Sequence, residues 1–323
     1  MDIRRAFFER TTSMSRHQNT NRKLSLAGKV MRIVLCLCLF CMLLSGCGIS
    51  IERTVGGEAF NNSSNSPGVT SKSDLRVIFL DVGQGASQLI ISPSGKTILI
   101  DAGNNSQEQA MIQYLHKYGV KRLDIVIGTH PDADHIGGLD RVIRDMDIGE
   151  IYMPKVASNT QTFKSVLEAI RSKGLKVKTA KAGLDLNFDD KVEVRMLAPV
   201  KPAEDNNNMS AVVKVTYGNT SYLLTGDAER DSEKGMIASG ANLQADVLLV
   251  GHHGSTSSTS ERFLNAVNPK YAVIQVGENS YGHPTKLILD RLAKHHTKIY
   301  RNDRQGTIEI TSDGEKYKIT TER

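Results

Sequence analysis

From residue 75 onward the apolar positions follow two periods, one of strands and one of helices. Short β-rich runs at Leu75–Asp81, Ser87–Ile91 and Thr97–Asp101 are split by Gly, Pro and Ser, which predicts three antiparallel strands. Gln107–Tyr118 has helical spacing and stops at Gly119. Leu123–Gly128 reads as a buried strand and Gly137–Arg144 as a short helix. Glu150–Met153 is a strand, Thr162–Ser172 a helix and Lys176–Lys178 a strand. The pattern then starts over. Strands are predicted at Lys191–Leu197, Ala211–Tyr217 and Ser221–Thr225, the last two joined by a Gly218-Asn219 hairpin turn. A helix at Ala228–Ser239, a buried strand at Ala245–Val250 and a helix at Ser260–Val267 follow. Tyr271–Val276 is a strand, Thr285–Ala293 a helix, and Lys298–Tyr300, Thr307–Thr311 and Lys316–Thr320 are strands. Strands open each half and helices interleave later, so the expected class is α/β, a layered body with two mixed sheets between helices.

Ahead of this body the pattern changes. A basic stretch through Arg32 precedes an apolar run, Ile33 to Leu44, and then Leu44-Ser45-Gly46-Cys47. A basic region, an apolar region and a small-residue cleavage site make a secretory signal. The run is short of the roughly 20 residues that span a bilayer. Small residues ending on Cys resemble a bacterial lipobox, in which Cys47 becomes the lipidated N-terminus; an ordinary signal peptide or signal anchor is the alternative. Met31 offers a start directly before the apolar run. Residues 48–73 are rich in Ser, Asn and Gly and read as a flexible linker. The expected organisation is therefore a signal peptide with lipobox (1–47), a linker (48–73) and one folded domain (74–323), held outside the membrane by its lipid.

Charge sharpens this. The chain of 323 residues carries 41 Lys+Arg and 35 Asp+Glu, a net charge of +6. Residues 1–32 hold eight of the positive charges and two of the negative ones, so the rest carries 33 of each sign. A basic protein body is excluded. Lys173, Lys176, Lys178 and Lys181 are read as a solvated edge. Trp is absent and aromatics are 5%, which argues against an aromatic platform for single-stranded nucleic acid. All four Cys lie between Cys36 and Cys47, so the body has neither disulfides nor Cys metal ligands.

Chemistry concentrates just past the predicted strands, where α/β folds place sites. His130-Pro131-Asp132-Ala133-Asp134-His135 puts four ligand-type side chains in six residues before Gly137-Gly138. Imidazole nitrogens and carboxylate oxygens together hold divalent metal, and two carboxylates among four ligands lean toward harder ions such as Mn²⁺. Thr225-Gly226-Asp227 delivers a carboxylate at the end of an apolar strand, able to bridge two metals; Glu229 reads as a solvated first-turn acid. Gly251-His252-His253-Gly254 follows another buried strand. Adjacent side chains diverge in extended chain, so at most one His is expected in the ligand sphere, the other donating to substrate or supporting a ligand. His283, in Tyr281-Gly282-His283-Pro284, is a further ligand candidate. His116, His295 and His296 fall on helices and are expected at the surface. Seven ligands suit two metals that share a carboxylate and a bridging water, lowering its pKa and clamping an in-line displacement.

These motifs resemble the metallo-β-lactamase superfamily, whose usual first motif is H-x-H-x-D-H; Asp132 stands here where the second His would be. With Asp81-Val82-Gly83-Gln84-Gly85, His252-His253-Gly254-Ser255 and Tyr281-Gly282-His283-Pro284, the chain is similar to the hydrolase domain of the competence protein ComEC and its free-standing secreted relatives. The resemblance runs from Leu75 to about Ile319. It implies a four-layer αββα sandwich with the site at its edge. It implies one metal on His130, Asp132 and a His of the 252/253 pair, another on Asp134, His135 and His283, and Asp227 between them. Asn207, Asn208 and Ser210 resemble a polar segment of that group. Ala86 departs from it, since an Asp is frequent there.

The leading expectation is an extracytoplasmic metal-dependent hydrolase with two Zn²⁺ or Mn²⁺ ions, acting on a phosphodiester, DNA among them, with Asp134, His252 and His253 as catalytic candidates. The alternatives are hydrolysis of another ester or lactone, such as phosphorylcholine esters of the cell envelope, and a non-enzymatic surface-binding lipoprotein. The membrane is expected as a partner only through Cys47.

Overall fold

The computed structural model describes residues 74–323. The signal, lipobox, Cys47 and linker assignments lie outside the described residues. Among those described, no helix is long and apolar enough to cross a membrane.

Fifteen strands form two sheets within the described residues. The first half contributes β1 (Leu75–Phe79), β2 (Gln88–Ile91), β3 (Thr97–Ile100), β4 (Arg122–Ile127), β5 (Asp147–Met153) and β6 (Val177–Thr179). The second contributes β7 (Asp185–Asp189), β8 (Val192–Ala198), β9 (Val212–Tyr217), β10 (Thr220–Leu224), β11 (Val247–Leu249), β12 (Tyr271–Ile274) and β13 (Lys298–Arg301). Strands β14 (Ile308–Ser312) and β15 (Tyr317–Thr321) close the chain. They return to the first sheet, whose order is β15-β14-β1-β2-β3-β4-β5-β6. The other sheet runs β13-β12-β11-β10-β9-β8-β7. Both are mixed. β1, β2 and β3 pair antiparallel, as the turn signals predicted, and β3 through β6 are parallel. β7 to β10 are antiparallel and β10 to β13 parallel.

Side chains alternate across the strands, and the central strands of each sheet are buried on both faces. Val77, Phe79, Ile98 and Ile100 meet Val213, Val215, Tyr222 and Val247 in the core between the sheets. Their neighbours Ile78, Leu80 and Leu99 point the other way. They pack with Met111, Leu115, Val142 and Val166 from the helices Glu108–Lys117, Leu139–Asp145 and Gln161–Ser172. Leu223, Leu248 and Ala272 cover the opposite outer face with Met236, Phe263, Leu264, Ile288 and Leu292, from the helices Arg230–Ala238, Glu261–Val267 and Lys286–Lys294. The result is helix, sheet, sheet, helix: the four-layer αββα sandwich.

Three elements escape the sequence pattern. β7 hides its alternation, because the inward Leu186 and Phe188 sit among Asp185, Asp189 and Asp190. The predicted helix at 137–144 begins two residues later, at Leu139, and a separate turn of helix, Ala133–Ile136, precedes it. A short helix, Asn302–Gln305, links β13 to β14. The lysine-bearing β6 is an exposed edge strand, with Lys178 Nζ paired to Glu150 at 2.5 Å. His116 and His296 are exposed, and His295 lies 3.3 Å from Glu261.

Candidate metal centre

The site is built where the parallel strands of both sheets end. β3 runs into Asp101, β4 into Thr129–His135, β10 into Asp227, β11 into His252 and His253, and β12 into Gln275. Backbone fit holds these turns in place. A Cβ on Gly85 would fall 2.5 Å from the Asp134 carbonyl, and Ala86 N–H donates to that same carbonyl at 3.1 Å. The loop of residues 81–86 thus buttresses the ligand-rich turn, and Ala86 does so through its backbone. Gly226 takes φ +51° with Thr129 Cβ within 3.0 Å of where its own Cβ would stand, so only glycine turns the chain there without strain.

Three buried imidazoles are aimed by their Nδ1 atoms. His135 Nδ1 donates to Asp101 Oδ2 at 2.7 Å and His253 Nδ1 to the Gln275 carbonyl at 2.7 Å. His130 Nδ1 donates to Thr129 Oγ1 at 3.0 Å, while that hydroxyl donates to Asp101 Oδ2 at 2.6 Å. Each Nε2 is left with its lone pair directed inward, the arrangement that metal-binding histidines require. They converge on Asp227. Its Oδ1 lies 3.1 Å from His135 Nε2, and its Oδ2 lies 3.9 Å from His130 Nε2 and 3.6 Å from His253 Nε2. Asp134 Oδ2 is 3.3 Å from His253 Nε2. Two groups of donor atoms lie within 4.8 Å of one another among the described residues: His130, His135 and Asp227, and Asp134, His135 and His253. His130 Nε2 is buried and has no hydrogen-bond partner. A cation would satisfy that atom, and His283 Nδ1 at the rim of the site is likewise buried without a partner. The residues present fit divalent metal.

The local electrostatics show how tightly charge is coupled. Burial and the charge of His135 depress His130 to about 4. Burial opposes charge on His135 too, but Asp227 and Asp101 outweigh it and raise that imidazole well above its usual range. Burial would raise Asp227, yet His135 and His253 drive it well below. Burial likewise opposes ionisation of Asp134, and its contact with His253 nonetheless holds it down to about 2.

The donor atoms group differently from the ligand sets that the resemblance implied. His253, one of the two histidines expected as an alternative partner of His130 and Asp132, lies with Asp134 and His135, its Nδ1 on the Gln275 carbonyl. His283, expected with Asp134 and His135, stands outside both donor groups. Its ring packs edge-on to His252, 5.6 Å between centroids. Asp132 lies at the outer side, with Oδ2 3.8 Å from His130 Nε2 and Oδ1 accepting from Asn206 at 3.1 Å. His252 and His253 diverge, as adjacent residues were expected to, but not from extended chain. Both have left-handed backbone in the turn Gly251–Gly254, with rings at 70°. His252 Nε2 is 3.7 Å from Asp227 Oδ2, and its Nδ1 donates to Glu229 Oε1 at 2.9 Å.

Two contributors are absent from the motif reading and a third, Glu229, has a different role from the one read there. Asp101, fully buried, takes three hydrogen bonds from Thr129 and His135. It ends an apolar strand just as Asp227 does, which is the signal that could have found it. Glu229, read as solvated, orients His252. Gln275 fixes His253 and ties the two sheets together, its amide donating to the Leu80 and Ser87 carbonyls at 2.9 and 3.0 Å. The polar segment is also placed: Ser210 Oγ lies 3.4 Å from His130 Nδ1, Asn207 donates to Glu229 at 3.2 Å, and Asn208 accepts from Ser232 N–H at 2.9 Å.

Comparison with known proteins identifies the family. The profile of the metallo-β-lactamase superfamily matches residues 80–278. The chain belongs to that superfamily. It is 33% identical over 256 residues to ComE operon protein 3 of Bacillus subtilis, covering 73% of this chain and 33% of the relative. It is 30% identical over 285 residues to competence protein ComA of Neisseria gonorrhoeae, covering 86% of this chain and 38% of the relative. The chain thus spans about a third of the length of these relatives. Among solved structures it aligns with the metallo-β-lactamase fold protein YhfI from Bacillus subtilis at 15% identity and a TM-score of 0.47, covering 74% of this chain and 100% of that one.

Proposed function

We propose that this protein is a metal-dependent phosphodiester hydrolase with two divalent cations. The observation that carries the reading is the convergence of three Nε2 atoms on Asp227, with that of His130 buried and unpartnered. One cation would be held by His130 and Asp227 with Asp132 at its outer side. The other would be held by Asp134, His135 and His253, with Asp227 shared. When bound, such cations supply an activated water and positive charge for phosphoryl oxygens. Three of these six ligands are carboxylates, a donor set leaning toward harder ions such as Mn²⁺ over the zinc expected of an all-imidazole site.

The chain's own residues supply the rest. Asp101 and Gln275 keep His135 and His253 in the tautomer that presents Nε2. His252 needs no place in the ligand set, so it is free to hand a proton to the leaving oxygen, with Glu229 Oε1 2.9 Å behind it to fix the ring. The body outside residues 1–32 is neutral, so charge for an anionic substrate comes from the cations. The names of the competence relatives make DNA the first phosphodiester to try. We also propose that Cys47 anchors the protein outside the membrane; palmitate labelling of the wild type, lost in Cys47→Ala, tests this.

The test of the function is turnover by protein stripped with a chelator and reloaded with Mn²⁺ or Zn²⁺. Hydrolysis of bis-p-nitrophenyl phosphate and of DNA, with none of nitrocefin or lactones, is the expected result. A folded, metal-loaded protein that leaves both phosphodiesters intact overturns it.

A further inference from the structure

Tyr281 is 72% exposed, the most exposed large apolar side chain among the described residues. A lone surface aromatic needs no explanation. This one is held in place. Its ring stacks on His283 at 5.8 Å and 30°. His283 in turn meets His252 edge-on at 5.6 Å, and His252 Nε2 is 3.7 Å from Asp227 Oδ2. Two ring-to-ring steps therefore lead from the rim of the metal centre to an open aromatic face. The loop beneath is tied down. Asn279 Oδ1 accepts from the N–H groups of Tyr281 and His283, both at 3.1 Å, and its amide donates to the carbonyls of Gly277 and His283, both at 2.9 Å. Thr285 N–H and Oγ1 both donate to the Gly254 carbonyl at 3.0 Å, docking the segment on the turn that carries His252 and His253. Ordering cost on binding is already met.

We propose that Tyr281, backed by His283, is a stacking ledge for the base beside the scissile phosphodiester, so that the substrate class is a nucleotide-bearing phosphodiester. This rests on the hydrolase reading above and names its substrate. Every base has a π-face, so a single aromatic ledge is tolerant of sequence. The geometry also speaks against a quaternary ammonium such as phosphorylcholine. Cages for such cations surround them with aromatic faces. Here Tyr281 is 72% exposed with the His283 ring beside it at 5.8 Å and 30°, so no cage encloses a cation and an open aromatic face is left for a flat ring. A body with balanced charge has little electrostatic grip on nucleic acid. Stacking next to the cations supplies affinity that surface lysines do not.

The experiment uses the full-length, metal-loaded protein and a 2-aminopurine–thymidine dinucleotide joined by a phosphorothioate, whose fluorescence falls when the base stacks. Wild type and Tyr281→Phe should bind with quenching. Tyr281→Ala should bind roughly 5- to 100-fold more weakly, the fold-change set by one lost base–aromatic stack. In parallel, kcat/KM for thymidine 5′-(p-nitrophenyl phosphate) is divided by that for methyl p-nitrophenyl phosphate. The ratio should exceed one in wild type and Tyr281→Phe and collapse toward one in Tyr281→Ala. Absence of quenching in wild type, or equal quenching and affinity in Tyr281→Ala, overturns the ledge. Should neither ester be cleaved while quenching still depends on Tyr281, the hydrolase reading falls and the ledge stands as a base-binding site.

Discussion

His130, His135 and His253 are fully or almost fully buried and each commits its Nδ1 to an inner partner, whereas His252 and His283 stand in partly open positions and pack against each other. The inner three turn Nε2 toward one carboxylate. The outer two form a path that ends on an exposed tyrosine. Burial explains the difference. An inner imidazole surrounded by protein must have both nitrogens assigned, so neighbours fix it and leave one lone pair for a cation. Of the outer pair, His252 is partly open and pairs with Glu229, whereas His283 keeps a buried Nδ1 without a hydrogen-bond partner. The inner end is thus suited to holding metal and the outer end to meeting substrate.

Substitutions can break that contrast. The largest effect belongs to Asp227→Ala, which removes the carboxylate at the centre of the inner group. Metal content measured by atomic emission should fall, and turnover should drop about a thousandfold or more. Next comes His252→Ala. Metal content should be retained while kcat falls on the order of a hundredfold, the usual worth of a positioned proton donor. Loss of metal in this variant would place His252 among the ligands and erase the distinction between the two ends. Asp101→Asn should act on the inner end without touching metal directly. Its amide cannot accept from His135 Nδ1 and both Thr129 donors as the carboxylate does. Metal affinity, read by competition with a chromogenic chelator, should weaken about 10- to 100-fold.

The smallest effect lies away from the site and serves as a reference. Asp246 accepts from Tyr317 Oη at 2.8 Å and Ser221 N–H at 3.1 Å and pairs with Lys270 at 2.8 Å, tying β15 to β10 and β11. Burial opposes its ionisation, but Lys270 and Tyr317 outweigh burial and hold it below the usual 3.8. A carboxylate depressed in the folded state stabilises above its unfolded pKa and loses that contribution as pH falls through the folded value. Asp246→Asn should therefore cost about 1 kcal/mol at neutral pH, the scale of one or two hydrogen bonds. The gap from wild type should close below about pH 4 in urea melts. Metal content should not change.

The same contrast governs what could be read in the sequence. The sandwich was legible because alternate residues of strands such as Ile98–Leu99–Ile100 are apolar on both sides, which only a sheet buried on two faces needs. The inner site was legible where ligands crowd together, at His130–His135, and where an apolar strand ends on an acid, at Asp227. Asp101 obeys that second rule and went unread because no motif flanks it. The outer end was far less legible. Which His of the 252/253 pair turns inward depends on a left-handed turn and on the Gln275 carbonyl, neither of which spacing encodes. Glu229 was taken for a solvated acid because its partner His252 lies 23 residues away. Low aromatic content argued against a stacking platform, yet a percentage averages over the chain and takes no account of where Tyr281 stands.

Phosphodiester hydrolysis is proposed to depend on divalent metal held by the inner donors. Titrating Mn²⁺ into chelator-stripped protein while following both bound metal and cleavage of bis-p-nitrophenyl phosphate tests it most directly. Turnover should appear with the metal, saturate at two ions per chain and be abolished together with binding in Asp227→Ala. Full turnover in the stripped protein, or two bound ions with no cleavage of any phosphodiester, would contradict it.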